Sequence, residues 1–405
     1  LFLRSQEAAD LVNSVINNKG KIIVYGDYDA DGIMGTSILV KMFEYVNVKV
    51  DYYIPNRYQD GYGLTLKHAQ EYVDDKYDLV ICVDNGVSAF EPIQLLKDNG
   101  IKVLVLDHHQ PQETLPVADV ILHPQISKFS EVPSSGAFVA FMFSMTFLGR
   151  FDKYLSTLAA ISTITDMMPL KETNRNLLRL VFKHYKEGEF LPIDLLKEQD
   201  AFDETTIGMK IGPKINSVGR LIDTTEINKM VEYFTTDNEE VVLNYINWIN
   251  DTNEERKQAS KEATEKLPND LKGQKAIVYI TEAKEGLLGL IANHLCSNYR
   301  VPTIVMTKDN SGDSYKGSCR APEGYNVVEI FTALKDLLVT GGGHAGAGGC
   351  TILAKDFEEF KKRFSEYVSG LDEKFTPTLI NTIMFIFQMI NQTITFVANY
   401  QGEPF

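Results

Sequence analysis

The sequence predicts an α/β protein: a parallel, doubly wound sheet domain joined by a long helix to a smaller α/β domain. Three observations carry this expectation. Short runs rich in β-branched residues, KIIVYG, DLVICV and IKVLVL, alternate with helix-patterned stretches near the start of the chain. That is the rhythm of βα units whose strands are buried on both faces. Further on, VVLNYINWINDTNEERKQASKEATEKL passes from apolar helical spacing to an almost wholly polar composition, as a helix does when it crosses solvent between two bodies. Strand-like and helix-like segments then resume, and 405 residues exceed what one hydrophobic core ordinarily serves.

Taken in order, strands are expected at 21–25, 49–54, 78–83 and 102–106, with helices such as TSILVKMFEYV (36–46) between them. From Phe138 to Met168 the chain turns helix-rich and ends in TITDMMPL, where Asp166 is a lone acid in apolar surroundings that needs a partner if buried. Residues 1–225 form the first domain and 226–267 the connecting helix, with Tyr245 and Trp248 on its apolar face. Residues 268–368 form the second domain: strand 275–280, helix 286–299, strand 303–307 and the glycine-rich stretch 341–349. The remainder, 369–405, is a tail or the start of a further module; it carries no charge from Phe375 to Gly402. Asn381, Gln388, Asn391 and Gln392 interrupt its apolar run. A membrane span needs roughly 20 mostly apolar residues, so the tail is expected to pack on protein.

A formal net charge of -15 argues against a broad basic surface for nucleic acid. Any polyanion must be held in a local groove. The four cysteines, Cys82, Cys296, Cys319 and Cys350, lie far apart without a CxxC pair and are expected to be reduced. The start LFLRSQEAAD has neither the basic n-region nor the apolar stretch of a signal peptide, and it lacks a methionine. It reads as a trimmed chain located in the cytoplasm, with no membrane partner.

The chemistry sits at the strand ends. Asp27-Tyr28-Asp29-Ala30-Asp31-Gly32 follows the first apolar run, Asp84-Asn85-Gly86 the third and Asp107-His108-His109 the fourth. In an open α/β sheet such ends meet in one crevice, where ligands bind. Converging carboxylates there call for a cation. A calcium loop of the EF-hand type needs a Glu at its twelfth position, but counting from Asp27 that position is Ile38, and a strand precedes the loop. Mixed Asp and His ligands suit manganese, iron, cobalt or zinc better than calcium, and so many carboxylates suit a pair of ions about 3.5–4 Å apart sharing one aspartate.

VYGDYDADGIMGTS, VDNGVSAFEPI, LDHHQP and ITDMMPL resemble the four ordered motifs of the DHH phosphoesterases. PNRYQDGYGL (55–64) and IGPKINSVGRL (211–221) resemble the RecJ branch, single-strand-specific 5′ exonucleases, while YKGSCRAPEGY and GGGHAGAGG resemble the DHH-associated domain. The resemblance implies Asp27, Asp29, Asp31, Asp84, His108 and Asp166 as metal ligands for two divalent ions, manganese first and magnesium second, with Asp84 bridging. It implies that Asp107 orients a histidine and that His109 contacts the scissile phosphate or leaving oxygen. It also implies Arg220, Ser318, Arg320, Gly343 and His344 as phosphate- and end-binding residues. Arg57 either serves the DNA backbone or pairs with Asp60. The implied activity is release of 5′ mononucleotides from single-stranded DNA in repair or recombination, in a cleft too narrow for duplex, with a single-strand-binding protein or helicase as partner.

Tyr58 and Tyr62 are candidates for stacking on bases. His68, His123, His184 and His294 are expected to be surface or packing residues. Two other readings stand beside this one. A phosphodiesterase for short oligonucleotides or cyclic dinucleotides would have a histidine four residues before Asp29, where this chain has Tyr25. A non-catalytic replication scaffold would have no reason to retain every acid. Many RecJ proteins continue into an oligonucleotide-binding barrel, for which Gly402-Glu403-Pro404-Phe405 comes too soon; without it, binding to long strands is expected to be weaker and more salt-sensitive.

Overall fold

In the computed structural model, which describes residues 4–128, 132–268, 271–309 and 311–371, the apolar runs near the start of the chain form one parallel sheet. After α1 (Ser5–Asn17) the elements are β1 (Ile22–Tyr25), α2 (Ala30–Glu44), β2 (Asp51–Tyr53), α3 (Leu66–Asp74), β3 (Leu79–Val83), α4 (Phe90–Asp98), β4 (Lys102–Leu106) and β5 (Val120–Leu122). The strand order is β2-β1-β3-β4-β5, parallel throughout. Successive side chains of a strand point to opposite faces, and both faces here are buried. Val24, Ile81, Val83 and Leu106 pack with Ile33 and Ile38 of α2, whereas Tyr25, Cys82 and Val105 pack with Tyr72 of α3 and Leu96 of α4. That two-sided burial is why the strands read as continuous apolar runs rather than as alternating ones. Strand order reverses between β1 and β3, and the crevice at such a switch point is where ligands settle in this architecture.

The helix-rich region consists of α5 (Gly136–Leu148), α6 (Lys153–Thr165), α7 (Glu172–His184) and α8 (Leu191–Lys197). A short α9 (Glu204–Thr206) passes through a π-turn (Ile207–Ile211) into α10 (Gly212–Leu221).

The expected single helix over 226–267 is interrupted. A 3-10 turn (Thr225–Asn228) leads to α11 (Lys229–Thr235), and only α12 (Glu239–Glu265) is long, at 27 residues. Local side chains compete for the backbone at the break: Thr236 Oγ1 accepts from Asn238 N, and Asn238 Oδ1 accepts from Glu240 N. Lys41 holds the break in place by donating to Thr235 O at 2.7 Å and Asp237 Oδ1 at 2.9 Å. Tyr245 and Trp248 pack against the core of the first unit.

The chain divides into two units, Leu1–Lys261 and Glu262–Phe405. The second contains β6 (Ile277–Ile280), α13 (Leu288–Tyr299), β7 (Thr303–Lys308), β8 (Ser314–Arg320), α14 (Val327–Ala333), β9 (Leu338–His344), β10 (Ala347–Leu353) and α15 (Phe357–Gly370). Its sheet has the order β6-β7-β8-β10-β9; only β6 and β7 run parallel. The glycine-rich stretch at 341–349 is largely strand, since Gly341, Gly342 and Gly343 pair with Cys350, Gly349 and Gly348. Its backbone groups are therefore partly engaged in a ladder. The expectation for the tail falls on 372–405, outside the described residues. All four cysteines are buried and free, and among the described residues no helix is long and apolar enough to cross a membrane.

Candidate metal centre

Each acidic cluster leaves the carboxyl end of a strand, and neighbouring backbone fixes its direction. After β1, Asp29 caps α2: its Oδ1 accepts from Asp31 N at 2.9 Å and Gly32 N at 3.1 Å. Asp31, inside the first turn, reaches α5, where Oδ2 accepts from Gly136 N at 2.6 Å and Oδ1 from Ala137 N at 2.7 Å. A carboxylate at a helix N-terminus is favoured by the helix dipole, and Ser162 of α6 donates a further hydrogen bond to Asp31 Oδ1. Asp84 has a positive φ of 61°. Asn85 holds that strained turn, because its side-chain amide donates to Gly26 O at 3.0 Å and Val83 O at 2.9 Å, joining the ends of β1 and β3. Gly136 is required by the close approach: a Cβ there would lie 2.8 Å from Asp84 Cβ.

The acids converge with His108. Its Nε2 lies 3.1 Å from Asp84 Oδ1 and 3.5 Å from both Asp31 Oδ2 and Asp166 Oδ2. Three sets of ligand atoms, each within 4.8 Å of one another, arise from Asp27, Asp29 and Asp84; from Asp31, His108 and Asp166; and from Asp84, His108 and His109. Asp84 belongs to two of these sets and His108 to two. The first two sets together comprise the six residues expected as ligands.

A cation fits what the side chains lack. Asp27 Oδ1, Asp84 Oδ1 and Asp166 Oδ2 are buried without a hydrogen-bond partner. Leaving a buried acceptor unsatisfied costs about 1–3 kcal/mol, and more when it is charged. Without a cation, burial and the charge of Asp29 push the Asp27 carboxyl up to about 8. Burial and Asp31 push Asp166 up to about 9, and burial with the surrounding aspartates drives Asp84 well above the ordinary range. Burial depresses His108 to about 4, which favours the neutral imidazole a metal needs.

Asp107 behaves differently. It accepts from Val87 N at 2.9 Å, His108 N at 2.7 Å and His109 Nδ1 at 2.8 Å. Burial alone would raise its pKa, but these donors and the adjacent histidine charge hold it well below the usual carboxylate range. Its ring partner is His109, whose pKa rises to about 9 against the effect of burial because of the Asp107 hydrogen bond. The same hydrogen bond favours the protonated form of the His109 ring beside the carboxylates. Tyr62 OH lies 2.9 Å from its Nε2.

Arg57 lies with its guanidinium 4.1 Å from the ring centre of Tyr28, between two of the aspartates in sequence. The alternative partner Asp60 is occupied otherwise, accepting from Tyr53 OH and Asn56 N at 2.8 Å each, with His68 Nε2 at 3.4 Å. Tyr58 spends its hydroxyl on Arg220 O, whereas Tyr62 keeps 54% of its surface exposed. His68 and His123 are buried packing residues, His123 Nε2 meeting His109 O at 2.8 Å; His184 and His294 are exposed. Asn216 escaped the sequence reading: its Oδ1 accepts from Ala30 N at 2.8 Å and steadies the aspartate loop. A polar residue inside IGPKINSVGRL was its only signal.

In the second unit, Ser318 and Arg320 share one face of β8, and Arg320 Nη1 donates to Ser318 Oγ at 3.0 Å and Cys319 O at 2.8 Å. Ala347 pairs with Arg320 on one side and His344 on the other, so the three form one cross-strand row. Gly289, in the first turn of α13, lies against this face: a Cβ there would be 2.8 Å from Arg320 Nη2 and 3.3 Å from Ser318 Oγ.

A parallel sheet with carboxylates and histidines at its switch point, followed by a mixed-sheet domain, is the organisation of a DHH phosphoesterase. The DHH family N-terminal domain matches residues 21–168, and the DHHA1 domain matches 272–370. The chain is 30% identical over 414 residues to the single-stranded-DNA-specific exonuclease RecJ of Escherichia coli, covering 93% of this chain and 70% of that protein. It is 31% identical over 389 residues to the RecJ of Bacillus subtilis, covering 92% of this chain and 49% of that protein. The crystal structure of RecJ from Thermus thermophilus in complex with Mn2+ superposes with a TM-score of 0.82 at 28% identity, covering 91% of this chain and 55% of that one. The chain belongs to the RecJ family of single-stranded-DNA-specific exonucleases. It spans about half the length of the Bacillus and Thermus proteins.

Proposed function

We propose that this chain is a metal-dependent 5′ to 3′ exonuclease that hydrolyses single-stranded DNA to 5′ mononucleotides in DNA repair or recombination. The observation that carries the reading is the set of buried oxygens on Asp27, Asp84 and Asp166 that make no hydrogen bond, at the switch point of a fold whose relatives are single-stranded-DNA-specific exonucleases. Asp27, Asp29 and Asp84 would hold one divalent ion, and Asp31, His108 and Asp166 a second, with Asp84 between them. Manganese is the first choice and magnesium the second. When bound, the ions supply the charge that activates water and neutralises the transferring phosphate.

The chain's own groups do the remaining work. Asp107 fixes the His109 ring, and the resulting imidazolium faces the scissile phosphate, where it stabilises developing negative charge and holds a proton at Nε2 for the leaving oxygen. Arg57 and Arg220 grip the strand backbone near the metal loop, since a guanidinium fork matches phosphate oxygens. In the second unit Ser318, Arg320, His344 and the backbone at Gly343 bind the phosphate at the strand end. With a net charge of -15, recognition rests on these local cations. A cytoplasmic location and cooperation with a single-strand-binding protein or helicase belong to the same reading.

The test is digestion with manganese of single-stranded DNA labelled at either end, with Asp84→Ala as control. Stepwise release of 5′ mononucleotides by the wild type but not by the variant is the expected result. Cutting confined to dinucleotide-sized substrates would replace the reading with a small phosphodiesterase, and no cutting with manganese, magnesium or cobalt would leave a scaffold.

A further inference from the structure

Helix α10 ends at Leu221, and the last carbonyls of a helix lack partners within it. Here two of them, and three carbonyls just beyond the helix, accept from the loop that follows β2. Arg57 Nε donates to Gly219 O at 3.4 Å, Tyr58 OH donates to Arg220 O, and Gln59 Nε2 donates to Asp223 O at 2.6 Å. Asn56 supplies both hydrogens of its amide, to Ile222 O and Thr224 O at 3.1 Å each. The same side chain folds its own loop, because Asn56 Oδ1 accepts from Tyr58 N at 2.8 Å and Gln59 N at 3.2 Å. Its backbone N–H is held by Asp60, which His68 and Tyr53 fix from behind. Asn56 is 1% exposed, so its amide is shielded from bulk water. Gly219 closes the layer: a Cβ there would lie 2.0 Å from Tyr28 O, in the aspartate loop whose ring Arg57 covers.

We infer that Asn56 is a positioning residue that locks the backbones carrying Arg57 and Arg220 into one preformed phosphate clamp beside the metal loop. The inference rests on the roles proposed above for the two arginines. An amide suits the place: its oxygen serves one segment and its two hydrogens the other, with no charge to add to the crevice. Neither arginine loop can then shift by itself, and the entropy of arranging two flexible side chains for one strand is met before substrate binds.

The experiment measures binding of a short 5′-phosphorylated oligothymidylate by fluorescence anisotropy, alongside manganese-dependent digestion of the same strand. It compares wild type, Asn56→Ala, Asn56→Asp, Arg57→Ala and the double variant Asn56→Ala/Arg57→Ala. Asn56→Asp keeps the acceptor and loses the donors, so it tests the clamp should Asn56→Ala fail to fold. Either Asn56 variant is expected to weaken binding and raise KM about tenfold, to leave kcat within about threefold, and to lower the salt slope of binding by about one phosphate contact. In the Arg57→Ala background the loss from Asn56→Ala should shrink to less than about threefold. Equal losses in both backgrounds, or an unchanged KM and affinity in either Asn56 variant, would overturn the inference, as would a wild type that binds no oligonucleotide. Binding without cleavage by the wild type would remove the nuclease reading while leaving the clamp to be decided by affinity alone.

Discussion

The aspartate crevice of the first unit and the Ser318–Arg320 face of the second handle charge in opposite ways. In the crevice, buried carboxyl groups are held together by rigid neighbours: α2, the start of α5, the strained Asp84 turn and the Asn85 amide. On the β8 face, the charged groups are only half-buried, and Lys316 Nζ lies 2.8 Å from Glu285 Oε2. The first arrangement stores unfavourable electrostatics that a cation relieves. The second stores little and offers hydrogen bonds at low cost. Bond-breaking chemistry is served by the former, where charge development is met without reorganisation; reversible contact with an anion suits the latter.

The largest expected effect separates the two sites most sharply. Asp84→Asn keeps the shape and removes one charge, so nuclease activity with manganese should fall by about 10³-fold or more, while the metal-free protein should melt at a higher temperature than wild type. The stabilisation that manganese confers, about 4 kcal/mol at a thousand times its dissociation constant, should shrink in the variant. A metal-free variant that melts lower than wild type would mean the crevice is not electrostatically strained. Arg320→Ala should leave the metal-free melting temperature and the stabilisation by manganese as they are in the wild type.

The same strain predicts a pH dependence. Asp27 and Asp166 stand at about 8 and about 9 in the folded, metal-free chain, against an ordinary aspartate value near 4. Across that interval the native state holds protons that the unfolded chain has released, so stability falls as pH rises. The contribution is complete below about pH 4 and is lost as pH climbs through the folded values near 8 to 9. Chelator-treated protein should therefore show a declining melting temperature between about pH 5 and 9, and saturating manganese should flatten the profile. A metal-free profile that rises over this range would contradict the folded geometry.

The crevice was also the more legible of the two in sequence. Strands buried on both faces write themselves as unbroken apolar runs, and acids at their ends must converge once the sheet is parallel. By contrast, GGGHAGAGG gave no strand signal, because glycine has no side chain to pack and its pairing partners lie on β8 and within the hairpin itself. The anchoring of Asp31 was hidden for another reason. Its oxygens meet Gly136, Ala137 and Ser162, more than a hundred residues on, and local spacing contains no trace of such a contact. Asn56 and Asn216 were obscure in the same way, each serving a distant backbone. The break before α12 was written locally, in Thr236 and Asn238, but a polar stretch reads as a solvated helix unless the capping geometry is known.

A smaller effect belongs to the second site. In the role proposed for it, Arg320 is a forked phosphate partner, so Arg320→Ala should raise KM for single strands about 10–100-fold, with kcat, metal dependence and the metal-free pH profile of stability unchanged. Steady-state kinetics over a range of salt checks this, and the salt slope should drop by about one. A fall in kcat equal to the rise in KM would place Arg320 with the chemistry and erase the contrast between the two sites.

The smallest effect concerns Ser318. Its hydroxyl accepts from Arg320 Nη1 at 3.0 Å, and it lies close against α13, where a Cβ on Gly289 would come within 3.3 Å of it. Removing one neutral partner of a hydrogen bond costs about 0.5–1.5 kcal/mol, so Ser318→Ala should raise KM about threefold to tenfold and leave folding intact. Where the hydroxyl serves only to orient Arg320, Ser318→Ala should add nothing to Arg320→Ala. Where it also donates to the strand's phosphate, the double variant should lose a further few-fold, because a hydroxyl can accept from the guanidinium and donate to an anion at once. The double-mutant cycle therefore decides whether the phosphate site proposed for this face acts through one side chain or two.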